Sequence, residues 1–170
     1  MEKAGNNRET TEVRLRAVEP SDVDRLYLWE NDRKIWPFGG TRAPMSRHQL
    51  WEYASNYDAN PFSAGQLRLM IEVATDDGDD KGIAPCGVLD LYDIDPVNSR
   101  TMVGIMVAPQ WRGRGIAARA LKAAGEYCRD TLALATIAAE VAADNLPSIK
   151  LFGEKAGYSA VGRRPSWYRR

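Results

Sequence analysis

The sequence contains little of what metal-binding, disulfide-stabilised or membrane-spanning proteins are built from. Its 170 residues include two cysteines, Cys86 and Cys128, and one histidine, His48. Two distant cysteines make no disulfide framework, and with one histidine they leave too few soft ligands for a structural zinc site. No apolar run approaches the roughly 20 residues that span a bilayer, and residues 1–11 are polar rather than a signal sequence. We therefore expect no metal, no membrane partner and a cytoplasmic location.

Excess charge of one sign is also absent, because 23 Lys and Arg residues balance 23 Asp and Glu residues. No overall field would draw such a chain to nucleic acid, so we expect no nucleic-acid partner. The acidic stretch 76–82 does not predict calcium either. A calcium loop that began at Asp76 would need glycine at its sixth position, where Lys81 stands.

Hydrophobic periodicity predicts one α/β domain at residues 13–170 behind a flexible tail at 1–12. Alternating apolar residues predict strands at 13–17, 67–73, 88–92, 102–107, 137–141 and 158–162. Helical spacing predicts helices at 22–30, 46–57, 113–132 and 145–157, with N-caps at Ser21, Ser46 and Asn145. A long acidic loop would join the second and third strands. The order favours a mixed, mainly antiparallel central sheet with helices on both faces.

The stretch that says most about function joins the strand at 102–107 to the long helix. Gly113 and Gly115 lack a Cβ, so the backbone can turn sharply and its N–H groups can approach a bulky anion. The first amides of the helix have no intrahelical acceptor and lie at the positive end of its dipole, which favours a diphosphate. Arg112 and Arg114 can add charge. The alternative is a glycine-loosened turn with solvated arginines.

The same glycines partly fit the dinucleotide fingerprint of nicotinamide-dependent oxidoreductases. That fingerprint opens a doubly wound sheet and is followed about 20 positions later by an acidic residue. Here Arg129 and Leu132 occupy that region, which argues against it. The Walker pattern is excluded because no Gly-Lys-Ser or Gly-Lys-Thr follows.

Three motifs follow one another along the chain. They are Gln110-x-x-Gly113-x-Gly115-Ile116-Ala117, Asn145-x-x-Ser148 and Phe152-x-Glu154-Lys155-x-Gly157-Tyr158. In this order they resemble the GNAT superfamily of N-acetyltransferases, and the resemblance covers residues 13–162. It implies the acyl-CoA N-acyltransferase fold, with acetyl-CoA as cosubstrate.

The resemblance also implies which residues contact coenzyme A (CoA). The diphosphate would lie on the amides of Arg112, Gly113, Arg114, Gly115, Ile116 and Ala117. The pantetheine arm would pair with the backbone of Met106, Val107 and Ala108, and Asn145 would contact it across two splayed strands. Phe152 occupies the position at which many members place a tyrosine that protonates the leaving thiolate, so Ser148 or water would have to serve.

Leu15-Arg16-Ala17-Val18-Glu19-Pro20, Trp29-Glu30-Asn31-Asp32, Arg68, Asp90 and Leu91 resemble the polyamine and ribosomal-protein acetyltransferase branch. In that branch the first two helices shape the acceptor pocket, which here would be lined by Trp29, Glu30, Asp32, Trp36 and Phe38. Aromatic faces and carboxylates suit an ammonium group, so the acceptor would be a polyamine-like small molecule or a protein amino group. The alternative is that the tryptophans anchor helix packing and the acids are solvated.

Transfer to an amine requires a base, a polarised carbonyl and an acid for the thiolate. Neither cysteine lies in a motif for an acetylated intermediate, which favours direct attack in a ternary complex. The amide of Val107 could bind the carbonyl. Asp90, Glu30 and Glu72 are candidate bases, with Asp90 preferred.

The family usually adds a further strand where this chain stops, at Trp167-Tyr168-Arg169-Arg170. We expect that strand to be missing. Either the chain is truncated, or a neighbouring chain in a homodimer completes the sheet, or the edge is left open and the arginines discourage pairing. The missing strand, together with phenylalanine in place of tyrosine at position 152, makes a catalytically weak CoA-binding module the alternative function.

Overall fold

The computed structural model describes residues 12–39, 43–56, 60–77 and 80–165. These ranges contain a five-stranded sheet in the order β1-β2-β3-β4-β5. Its strands are β1 (Val13–Ala17), β2 (Gln66–Asp77), β3 (Asp80–Asp95), β4 (Arg100–Val107) and β5 (Thr136–Ala138). The first four strands pair antiparallel, and β4 pairs parallel with β5. The prediction of a mixed, mainly antiparallel sheet is confirmed.

Helices pack on both faces of the sheet. They are α1 (Val23–Glu30), α2 (Trp36–Gly39), α3 (Arg47–Ser55), α4 (Pro61–Ala64), α5 (Ile116–Asp130) and α6 (Leu146–Lys150), the last continued by a π-helical turn at Leu151–Lys155. On β2, Leu67, Ile71 and Val73 face the core that includes α5. Met70, between them, packs with α1 and α3 in a second core. This alternation follows from the two-residue period of a strand.

Two predicted helix starts are confirmed by their caps. Ser46 Oγ accepts the N–H of Gln49 at 3.1 Å, and Asn145 Oδ1 accepts the N–H of Ser148 at 3.3 Å. The predicted cap at Ser21 is wrong, because Ser21 lies inside a 3-10 turn at Pro20–Asp22. Asp22 instead accepts the Glu19 N–H at 2.9 Å.

The prediction of a long acidic loop between the second and third strands is also wrong. β2 continues to Asp77 and β3 begins at Asp80, with Thr75 opposite Gly82 and Asp76 opposite Lys81. Ladder pairing here overrides the low strand propensity of aspartate. The short helices α2 and α4 were not predicted, because they lie among glycine and proline breakers.

The predicted final strand at 158–162 has no strand structure. The N–H of Tyr158 donates to the Phe152 carbonyl at 2.9 Å and so closes the last helical turn instead of joining a ladder. β5 is likewise shorter than predicted, with three residues. The predicted tail up to residue 11, Tyr57 and the terminal Trp167 to Arg170 lie outside the described residues.

Both cysteines are buried. Burial raises the pKa of Cys86 and of Cys128 to about 11. These thiols therefore stay protonated at neutral pH, which fits their role as core residues.

Candidate active site

A groove of about 1590 Å³ runs from the end of α1, across β2 to β4, to the β4–α5 turn and α6. It lies where β4 and β5 separate. Only Arg100 to Met102 pair with Thr136 to Ala138, so the edge of β4 beyond Met102 is open. A ligand can therefore hydrogen-bond with the backbone there, as an added strand would.

The register of β4 decides which residues point their backbone groups into this gap. The N–H of Ala108 donates to the Cys86 carbonyl at 2.8 Å, while Val107 stands opposite Gly87. Because hydrogen-bonded and non-bonded pairs alternate in an antiparallel ladder, the backbone groups of Val103, Ile105 and Val107 face away from β3.

This register bears on the predicted pantetheine contacts, of which Met106 and Val107 line the groove. Val107 remains available through its N–H, whereas Met106 faces Val88 as a bonded pair and Ala108 is fully buried with its N–H occupied. Ile105 was not predicted, since a strand's register cannot be read from one chain segment. Gly87 also matters here, because a Cβ on it would lie 2.2 Å from the Met106 carbonyl oxygen.

The glycine turn has the backbone that the sequence predicted. Gly113 and Gly115 have φ of +77° and +72°, a region that favours glycine. Gly115 is the N-cap of α5, so the amides of Ile116, Ala117 and Ala118 have no intrahelical acceptor. The N–H of Arg112 is different, because it donates to the Pro109 carbonyl at 3.2 Å.

The arginine side chains at the turn are arranged differently from the prediction. Arg112 Nε donates to the Val107 carbonyl at 2.8 Å, and Arg114 stacks 4.8 Å from the centroid of Trp111. Arg119, which was not predicted, lines the groove one helical turn after Gly115. Its Nη2 donates to the Arg114 carbonyl at 2.9 Å, and its Nε is buried without a partner among the described residues.

These features fit a bound diphosphate. A buried guanidinium N–H without an acceptor is costly unless a ligand supplies one. A Cβ at Gly115 would lie 3.1 Å from Arg119 Nη1, so glycine leaves room for the arginine to fold over the turn. The i to i+4 spacing of Gly115 and Arg119 on one helix face is a signal that could have identified Arg119.

Opposite the β4 edge, Asn145, Ser148 and Phe152 line the groove from α6 and the π-helical turn. The ring of Phe152 is 9% exposed and carries no proton to donate. Tyr158 packs behind it and does not line the groove. Burial is the largest cause that raises the pKa of Tyr158 above its ordinary value, so a neutral phenol persists there.

At the other end of the groove the structure brings together most of the predicted acceptor residues. Trp29, Glu30, Asp32 and Phe38 line it together with Asp90. Trp36 does not line the groove. Its Nε1 donates to the Glu30 carbonyl at 2.7 Å, so it anchors the chain after α1, as the packing alternative expected.

Arg68 connects two of the candidate bases. Its Nε and Nη2 donate to Asp90 at 2.6 and 3.1 Å, and its Nη1 donates to Glu30 at 2.6 Å. Burial works to lower the pKa of Arg68, but the neighbouring charges and hydrogen bonds of Asp90 and Glu30 outweigh it and raise that pKa. Arg68 is therefore a permanent cation inside the groove.

Glu72, the third candidate base, is excluded by its position. It does not line the groove, and its Oε1 accepts from Arg16 Nε at 2.7 Å. Within the described ranges, no group of three or more His, Cys, Asp or Glu residues could hold a metal ion, and no helix has the length and apolarity to cross a membrane.

A profile of the acetyltransferase (GNAT) domain matches residues 12–159 of the chain. The chain belongs to the GNAT family. As a GNAT enzyme it transfers an acetyl group from acetyl-CoA to an amine, and the alternative of a catalytically weak module is not favoured.

Relatives of this GNAT chain include spermidine N(1)-acetyltransferase of Escherichia coli K12, which is 25% identical over 150 residues that cover 88% of this chain and 74% of that protein. A crystal structure of spermidine N-acetyltransferase from Vibrio cholerae in complex with CoA and spermine superposes with a TM-score of 0.74. It is 25% identical, and the match covers 88% of this chain and 82% of that one. A dodecameric structure of the Vibrio cholerae enzyme superposes at 0.68 with 24% identity, covering 88% and 81%, and shows the shared fold. These relatives support a small-molecule amine as acceptor, not a protein amino group.

Proposed function

We propose that this enzyme N-acetylates an aliphatic polyamine at a terminal primary amine. The observation that carries the proposal is the continuity of the groove, which joins the glycine turn to an end lined by Glu30, Asp32 and Asp90. The relatives that act on spermidine or bind spermine support the same substrate class.

The glycine turn and the open edge of β4 are the proposed site for acetyl-CoA. The amides of Gly113, Arg114, Gly115, Ile116 and Ala117 would hold the diphosphate, and Arg119 would supply charge from the helix. Backbone groups of Ile105 would pair with the pantetheine arm, with Asn145 on the opposite side. Oriented amides and a helix N-terminus bind phosphate oxygens well because they combine N–H donors with the positive end of a dipole.

At the reacting end, the N–H of Val107 is the proposed donor to the thioester oxygen. Negative charge develops on that oxygen as the amine attacks, so a fixed donor there stabilises the transition state more than the ground state. The C–N bond forms and the C–S bond breaks in one ternary complex. Phe152 cannot protonate the departing sulfur, so water or Ser148 would serve.

The acceptor end favours a chain with more than one charge. Arg68 offsets part of the negative charge of Glu30 and Asp90, while Asp32, whose Oδ1 accepts the Lys34 N–H at 2.9 Å, also lines the groove. A second ammonium of a polyamine can be attracted by Asp32 while the first reaches the thioester. Trp29 and Phe38 offer aromatic faces for the same ammonium groups or for the methylene chain.

An amine panel tests this function. Thiol release from acetyl-CoA should be fastest with spermidine or spermine, slower with a diamine, and slowest with butylamine or an amino-terminal peptide. Asp32→Asn should raise the KM of polyamines more than that of butylamine, because it removes an attraction that the monoamine does not use. Equal kcat/KM values for polyamines and butylamine would contradict the proposal.

Self-association remains a proposal. The dodecameric form of the Vibrio cholerae enzyme supports it, as does the outer edge of β5, which pairs with no further strand in the part of the chain that the structure describes. Light scattering of the purified chain tests it, and a monomer mass at assay concentration would exclude it. A cytoplasmic location and a single domain at 13–170 also stay predictions.

A further inference from the structure

The carboxylates of Asp90 and Glu30, at the acceptor end of the groove, both accept hydrogen bonds from the Arg68 guanidinium, but they accept different numbers of them. Arg68 stands directly opposite Asp90 in the β2–β3 pairing. Glu30 reaches the same guanidinium from the last residue of α1. All three side chains line the groove, with side-chain exposures of 22% for Arg68, 30% for Asp90 and 16% for Glu30.

The two acids differ in how many of their oxygens accept hydrogen bonds from Arg68. Both Asp90 oxygens accept from Arg68, in the bidentate geometry that fixes a carboxylate most firmly. Glu30 accepts through Oε1 alone. Its Oε2 has no partner among the described residues, so it keeps a full acceptor oxygen for a ligand.

We propose that Arg68 divides the roles of the two acids, so that Asp90 anchors the guanidinium and Glu30 accepts the proton of the substrate ammonium through Oε2. This inference rests on amine acetylation in this groove and on the proposed acceptor end. It reverses the preference for Asp90 drawn from the sequence, which could not show how many oxygens each carboxylate has free.

Protons and bonds balance in this scheme. The bound ammonium carries three protons, of which one passes to Glu30 Oε2 and leaves the nitrogen lone pair free. That nitrogen attacks the thioester carbonyl carbon, the C–N bond forms and the C–S bond breaks. A second proton then reaches the departing sulfur through water, and the third stays on the amide nitrogen. Glu30 afterwards returns its proton to solvent.

Arg68 acts as a positioning residue in this scheme. It ties the end of α1 to β2 and β3, which sets the place of Glu30 relative to the β4 edge. Its positive charge also favours the neutral form of a nearby amine over the ammonium, since like charges repel. Asp90 holds the cation in place and offsets the cost of burying it.

The test compares Glu30→Gln with Asp90→Asn, using Asp24→Asn as a matched control on the same helix. Asp24 is 83% exposed and pairs with Arg47 outside the groove. The side-chain amide of Glu30→Gln keeps one oxygen for Arg68, so this variant should fold, and thermal melting checks that. Two acceptors are used, namely saturating spermidine, which is protonated at neutral pH, and trifluoroethylamine, which is already neutral.

We expect Glu30→Gln to lower kcat with spermidine about 100-fold or more, the usual contribution of a general base. Its rate with trifluoroethylamine should stay within about threefold of wild type, since that amine needs no initial deprotonation. Asp90→Asn should lower the melting temperature and reduce the two rates alike. Arg68→Lys should reduce kcat with spermidine, because an ammonium lacks the planar fork that holds both oxygens of Asp90 and reaches Glu30 at the same time.

A Glu30→Gln enzyme that keeps its kcat with spermidine and changes only KM would overturn the inference, because Glu30 would then bind charge without accepting a proton. An amine-selective loss in Asp90→Asn instead would overturn it too. Failure of the polyamine proposal is a separate result. It would appear in the wild type as equal kcat/KM for spermidine and butylamine, and the comparison of variants could then be made with butylamine.

Discussion

The ring of Phe152 meets the ring of Tyr158 edge to face, with the centroids 5.1 Å apart and the planes at 82°. Phe152 is on the groove side of this pair and Tyr158 is behind it. The only hydroxyl of the pair is thus held away from the place where the sulfur leaves.

Moving that hydroxyl forward should speed the reaction. Phe152→Tyr is expected to raise the single-turnover rate by about tenfold or more, because a positioned proton donor lowers the barrier for thiolate departure. Rapid-mix thiol detection with acetyl-CoA and spermidine measures it. Tyr158→Phe is the control and should change this rate less than about twofold. An unchanged rate in Phe152→Tyr would mean that protonation of the sulfur does not limit the step.

Gly115 at the N-cap of α5 and Gly125 inside that helix should respond in opposite ways to substitution by alanine. Gly115→Ala places a Cβ at φ of +72° and 3.1 Å from Arg119 Nη1, so we expect strain of about 1–3 kcal/mol and weaker CoA binding. Gly125 lies inside the helix with nothing within 4 Å of an added Cβ. Gly125→Ala should stabilise the fold by about 0.5–1 kcal/mol and leave CoA affinity unchanged. Urea unfolding and calorimetric titration measure both, and equal effects at the two sites would contradict this reading.

Arg119 should contribute to the affinity for the cosubstrate and contribute little to the stability of the fold. Arg119→Met removes a buried Nε that has no partner among the described residues. We expect the Kd of CoA to rise roughly 10-fold to 100-fold, the worth of a charged hydrogen bond, with no loss of unfolding free energy. Lys122→Met, whose side chain is 80% exposed on the same helix, is the matched control. A variant that unfolds more easily yet binds CoA normally would assign Arg119 to stability.

The Arg16–Asp22 pair should make stability depend on pH. Asp22 is 2% exposed and accepts two hydrogen bonds from Arg16 at 2.7 and 2.9 Å. Burial would raise the pKa of Asp22, but Arg16 and the Glu19 N–H together lower it below its ordinary value of 3.8. A lowered folded-state pKa contributes stability that is present above about 3.8 and is lost as pH falls through the folded-state pKa.

Asp22→Asn should therefore lower the unfolding free energy at neutral pH by about 2 kcal/mol, the worth of a hydrogen bond to a charged group, and the deficit should shrink in strongly acidic solution. Urea unfolding at neutral and acidic pH measures the difference. Asp24→Asn, at an exposed pair, should stay within about 0.5 kcal/mol of wild type at both. If the loss of unfolding free energy in Asp22→Asn does not change with pH, the charge of Asp22 does not contribute to stability and only its packing does.

Local patterns predicted the parts of the fold that local chemistry decides. The caps at Ser46 and Asn145 and the positive φ of Gly113 and Gly115 follow from what those residues can do by themselves. The predictions of a last strand and of an acidic loop were wrong, because the conformation of those segments depends on partners elsewhere in the chain. Tyr158 joined a helix end instead of a ladder, and Asp76 paired across a hairpin despite its low strand propensity.

The same distinction holds for the site. The glycine turn was predictable because a short motif builds it. Which backbone groups of β4 face the ligand depends on the hydrogen bond between Ala108 and Cys86, which lie 22 positions apart. The ion pairs likewise depend on which sheet face and which helix end meet. Glu72 pairs with Arg16, whereas Arg68 holds Glu30 and Asp90.

Acetyl transfer in the groove beside the glycine turn is the central claim. The most direct measurement is the mass of the amine product, together with the thiol released, when the chain is given acetyl-CoA and spermidine. We predict one N-acetylated amine for each CoA thiol, and no product from a folded Gly115→Trp variant, whose side chain would fill the turn. Thiol release without acetylated amine, or undiminished product from the variant, would contradict the claim.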